Sequence, residues 1–159
     1  MIEMDKKTLS KYRSEVIEKF INIEWAISVI ISQHYFKRVL KGFALEVLYD
    51  EYFSFALKRR ILQKIIPDLD NKKIQDLNRL NTIRNYFAHC GPEFVMISGK
   101  PKPEPKVIVP DPRTRNLEKG IDFEKLYEEF IEKDRGVTTY LAKIFTDLGG
   151  VLRKEPTLT

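Results

Sequence analysis

The chain has 159 residues, with 28 Lys+Arg, 23 Asp+Glu, two His and one Cys, and 43% of it is apolar. That size suits one domain built on one core, and the apolar content argues against global disorder. The lone Cys90 excludes an internal disulfide framework and a cysteine-rich zinc site. No apolar run approaches the roughly 18 residues that a membrane span needs, and Met1 to Lys7 is charged and lacks an apolar signal core. A soluble, cytoplasmic protein without membrane association is the expectation. The net charge of +5 is unevenly placed: residues 1–90 hold 16 Lys/Arg against 11 Asp/Glu, and residues 91–159 hold 12 of each. A basic bias of this size permits a polyanionic partner such as RNA, and equally fits solvated helix faces rich in Lys and Arg.

Proline and glycine divide the chain. Residues 1–66 contain no proline and only Gly42, whereas six of the eight prolines fall between Pro92 and Pro112. Proline lacks the amide donor and clashes with the preceding helical turn. The pattern therefore gives a helical front, a Pro-rich insertion at about 91–120, and a helical end. The first helix is predicted from about Thr8 to His34, where Val16, Phe20, Ile23, Ile27 and Ile30 recur at spacings of three and four, with Trp25 and Ile31 widening that face. A second helix is predicted over Phe43 to Ile66, with Lys58-Arg59-Arg60 as a basic turn and Pro67-Asp68 as its stop. Asp70 or Asn71 caps a third, from about Lys72 to His89, with Ile74, Leu77, Leu80, Ile83, Phe87 and Ala88 as apolar positions and Gly91-Pro92 beyond its end.

Residues 93–120 read differently. Phe94-Val95-Met96-Ile97 and Val107-Ile108-Val109 are short β-prone runs around a Lys/Pro-rich turn, which suggests a small hairpin or a Pro-rich loop. A last helix is expected over Asp122 to Leu148, with a kink or break at Gly136 and a loose tail over 149–159. The expected fold is all-α: a single domain over 1–159, a four-to-five-helix, mostly antiparallel bundle with a small β-hairpin or Pro-rich loop insertion.

One segment carries chemistry: Leu77-Asn78-Arg79-Leu80-Asn81-Thr82-Ile83-Arg84-Asn85-Tyr86-Phe87-Ala88-His89-Cys90. It places Arg84, Asn85 and His89 at the end of a predicted helix. Arg and His five apart is a spacing common by chance, but the longer string is more specific. It resembles the HEPN domains, a superfamily of small all-α proteins marked by Arg, a polar residue, a short spacer and His near the end of the third core helix. Ser54 to Leu62 with Pro67 is similar to the second helix of such domains. The resemblance covers roughly residues 15–90 and, more loosely, the last helix; the insertion is not part of the common core. It implies a homodimer and often metal-independent RNA cleavage. Many members are toxins or defence effectors, paired in some cases with an antitoxin; others have lost catalysis and bind RNA, a nucleotide or a partner protein as regulators. Some of the toxins carry a modified tyrosine two residues after the histidine. Gly91 stands there in this chain, and Tyr86 does not fill that role by position.

The residue types suit the chemistry. RNA cleavage without a metal needs a base for the 2′-OH proton and an acid for the leaving 5′-oxygen, and histidine serves both near neutral pH. A guanidinium fork stabilises the negative transition state. One chain offers one suitable histidine, so a two-fold dimer with facing motif helices would bring two His89 and two Arg84 into a composite cleft. Asn85 and His89, at i and i+4, share a helix face. Arg84 and His89 lie about 140° apart round the helix, so their convergence needs the long Arg side chain or a frayed end. Structural roles compete: Arg84 can pair with a carboxylate such as Glu24, and His89 can cap a helix terminus.

Weaker RNA-binding candidates are Lys58, Arg59, Glu24 and Tyr86. Lys58 to Arg60 can meet phosphates or form an exposed turn. Glu24 can face the cleft or be a solvated helix residue. Tyr86 and Phe87 can stack a base or belong to the core. Cys90 is expected as a buried small apolar residue. Two histidines without clustered carboxylates give no metal site, and no Gly-rich phosphate loop is present, so no cofactor is expected.

Overall fold

In the computed structural model, the described residues are 6–50, 52–89 and 122–151. They are all-α, as expected for a helical bundle. The helices are α1 (Lys6–Phe36), α2 (Phe55–Ile65), α3 (Asn71–His89) and α4 (Phe123–Asp147), with a π-helical turn at Phe43–Val47. The expected hairpin insertion, Cys90, and the tail beyond Val151 lie outside the described residues. None of the described helices is long and apolar enough to cross a membrane.

The chain divides into two compact units. The first comprises Met1–Phe20 and Asn78–Lys133, the second Ile21–Leu77 and Asp134–Thr159. In the first unit the apolar stripes bury Val16, Phe20, Leu80, Ile83, Phe87 and Phe130. α3 and α4 run antiparallel there: Arg79 meets Glu129 and, two turns on, Phe87 meets Phe123. In the second unit Ile23, Ile27, Ile30, Leu48, Leu62, Leu141 and Ile144 are buried. Asp70, whose backbone N–H donates to the Tyr140 hydroxyl at 3.0 Å, caps α3 through its side chain, which accepts from Lys72 N at 2.8 Å.

The predicted helix over Phe43 to Ile66 is in fact broken. Leu48 N donates to Phe43 O at 3.1 Å, an i→i+5 bond that ends the π-helical turn. Asp50 Oδ1 accepts from Tyr52 N at 3.0 Å, and Ser54 Oγ accepts from Leu57 N at 3.3 Å to start α2. Such side-chain bonds offer the backbone an alternative to the helix. Gly136, in contrast, does not break α4. A Cβ there would lie 3.0 Å from Lys73 Nζ, so the bare glycine makes room for that ammonium. α4 ends at Gly149 (φ 83°), with Gly149 N donating to Thr146 O and Gly150 N to Phe145 O, both at 2.9 Å. This is the Schellman pattern that a left-handed glycine permits. The buried Gln33 donates to Leu148 O at 3.2 Å at the same helix end.

The end of α1 is fixed from below. Ser32 is fully buried, and its hydroxyl accepts from Leu40 N at 2.8 Å and donates to Arg38 O at 3.2 Å. Removing it leaves two backbone groups without that partner. Ser32→Ala should cost about 1–3 kcal/mol in urea unfolding; an unchanged midpoint would show that water replaces the hydroxyl at no cost.

Candidate functional site

The motif residues sit on the C-terminal half of α3, in the first unit. α3 forms there because Leu80, Ile83 and Phe87 keep helical spacing on the buried face. That register turns Asn85, Ala88 and His89 outward, and all three are exposed. Ala88 is thus not the packing residue that the sequence suggests, since the register turns it to solvent beside the buried Phe87.

Arg84 is half-buried on the flank of the stripe. Its guanidinium carbon lies 4.8 Å from the centroid of the Phe20 ring on α1. Its Nη1 donates to Asn85 Oδ1 at 2.9 Å. Among the described residues it has no carboxylate partner. Among the described residues the cation is therefore held by an aromatic face and an amide. His89 occupies the last turn and forms no hydrogen bond or ion pair among the described residues. The structure thus brings Arg84 and Asn85 together and leaves the His89 ring open. Tyr86 is half-buried, and its hydroxyl lies within electrostatic reach of Arg79.

The surrounding helices are clamped. Arg79 donates from Nε and Nη2 to both carboxylate oxygens of Glu129, at 2.8 and 2.6 Å. This two-pronged bond raises the guanidinium further above its ordinary value. Sequence reasoning missed the pair. On the other side, the Tyr12 and Tyr127 rings stack in parallel at 3.8 Å, and the Tyr127 hydroxyl donates to Glu15 Oε2 at 2.7 Å. Burial first, then the bond to Glu15 and the charges of Glu15 and Tyr12, push Tyr127 up to about 12.

The weaker candidates fall in the second unit, Tyr86 apart. Lys58 is not an exposed phosphate-binding cation. Its side chain is 4% exposed, with Nζ 3.8 Å from Glu24 Oε1 and 4.4 Å from the centroid of the Tyr49 ring. Burial lowers its pKa, and Glu24 partly offsets this. Glu24 is correspondingly no freely solvated carboxylate but the partner of Lys58. The signal was present: Phe55, Lys58 and Leu62 share one helical face, all buried, so Lys58 occupies a core slot. Arg59 is half-buried, and its Nε finds no hydrogen-bond partner among the described residues. Arg60 is exposed. No three His, Cys, Asp or Glu among the described residues gather as a metal-binding group.

No protein-family model matches the chain, and no curated protein or solved structure is significantly similar to it.

Tyr127 is neutral over a wider range when folded than when unfolded, where its pKa is about 10. The resulting stability is complete below about pH 10 and is lost as the pH rises through about 12. Phenolate absorbance should show one tyrosine ionising near the upper value, and Glu15→Gln should bring it down. An unaltered titration in that variant would refute the role of Glu15.

Proposed function

We propose that the chain is a metal-independent endoribonuclease of the HEPN type. It acts as a homodimer with a composite cleft, in the manner of a toxin or defence effector. One observation carries the reading: Arg84, seated on Phe20 and tied to Asn85, keeps its charge without a carboxylate partner among the described residues, five positions before an exposed His89.

In this mechanism His89 takes the proton from a ribose 2′-OH, and the 2′-oxygen attacks the adjacent phosphorus. The Arg84 guanidinium stabilises the charge that builds on the phosphorane oxygens. His89 of the partner subunit protonates the departing 5′-oxygen, which leaves a 2′,3′-cyclic phosphate. Asn85 holds the Arg84 fork at a fixed angle. The alternative is a non-catalytic HEPN domain that binds RNA, a nucleotide or a partner protein. It draws on the same Arg84–Phe20 stack, because an arginine with a purely structural role is also seated in this way.

The test is incubation with total RNA in EDTA. The wild-type chain should cleave, and His89→Ala should lose about a hundredfold or more of that activity while its sedimentation stays that of the wild type. Equal RNA integrity with both proteins would contradict catalysis and favour the binding domain.

A further inference from the structure

The end of α1 carries a second surface, in the second unit. Tyr35 and Phe36 are 59% and 42% exposed, and Lys37, Arg38 and Lys41 follow, all exposed. No acidic residue occurs from Trp25 to Leu45. Among the described residues none of the three cations has a carboxylate partner. The rings are braced yet open: His34 lies edge-on to Tyr35, and Phe43 edge-on to Phe36, each at 5.0 Å between centroids.

The turn that presents these groups is held in one shape. Ser32 binds the backbone of both Arg38 and Leu40. Lys37 has φ 56°, the left-handed conformation in which glycine or asparagine is the ordinary residue at a helix end. The helix dipole favours a cation at that terminus. It does not account for three unmatched cations beside two exposed rings.

We infer that this turn is a docking surface for single-stranded nucleic acid, with bases stacked on Tyr35 and Phe36 and backbone phosphates on Lys37, Arg38 and Lys41. Exposed π-faces next to unmatched cations are what a flexible, unpaired strand requires. Three cations fall short of the roughly four to eight that mark recognition of anionic lipid, and an acidic peptide would leave the two rings without a role.

The experiment measures anisotropy of a labelled oligouridylate of about 16 nucleotides over a salt series. The full chain carrying His89→Ala is the reference, so binding is read independently of cleavage. Adding Lys37→Ala, Arg38→Ala and Lys41→Ala should weaken binding about tenfold or more, and should reduce the slope of log affinity against log salt by about 2. Tyr35→Ala and Phe36→Leu should each weaken it about fivefold with the slope unchanged; leucine keeps the apolar contact with Phe43, and circular dichroism checks that every variant folds. Unchanged affinity and slope in the triple variant would overturn the proposal. So would ring variants that bind as the reference does, equal affinity for duplex RNA, or a charge-dependent affinity confined to phosphatidylserine vesicles.

Discussion

The Arg84 guanidinium lies 4.8 Å from the Phe20 ring centroid, and this seat joins α3 to α1 within the first unit. It has two consequences. The ring holds the cation without neutralising it, because a π-face attracts charge but supplies no proton acceptor for a salt bridge. Asn85 then fixes the plane of the fork through a neutral oxygen at 2.9 Å. The end of α3 therefore carries, among the described residues, a positive group without a carboxylate partner, five positions before the exposed His89. The bidentate Arg79–Glu129 pair and the Tyr127–Glu15 bond hold α3 and α1 against α4 on either side, so the cation stands on a braced frame.

The second unit treats a cation in the opposite way. Lys58 is drawn into the core face of α2, matched to Glu24 and covered by the Tyr49 ring. Tyr49 in turn donates from its hydroxyl to Ile21 O at 3.2 Å, and its ring leans on Trp25 at 5.9 Å. Burial and the nearby Glu24 carboxylate keep that phenol neutral beyond its ordinary range. A buried ammonium needs a counter-charge and a polarizable cover, and both are present. Among the described residues Lys58 is thus matched by a carboxylate and Arg84 is not.

Much of the fold was legible from spacing. α1, α3 and α4 follow their apolar stripes to within two residues, because burial of one face dominates local preference in long helices. The segment from Phe43 to Ser54 was not. Leu45, Val47, Tyr49 and Tyr52 look like helix-face residues but are exposed, and the chain there obeys Asp50 and Ser54, whose side chains bind nearby amides. Ala44 and Leu48, four apart, do reach the core, but the other apolar side chains of the segment do not continue that face. At the site, the spacing of four put Asn85 and His89 on one helix face, and that face is exposed. The Phe20 seat of Arg84 was not legible, because it joins residues 64 positions apart and no local pattern encodes such a contact. The Glu24–Lys58 pair was hidden for the same reason, although the place of Lys58 on the Phe55–Leu62 face was readable.

The most direct measurement concerns the bond chemistry itself. A single-stranded RNA with one mapped cut site should yield a 2′,3′-cyclic phosphate, and a single 2′-deoxy substitution at that nucleotide should abolish the cut while leaving binding unchanged. Continued cleavage of the deoxy substrate would contradict the account, because the 2′-oxygen would then not be the nucleophile and a His89 base would have no proton to remove.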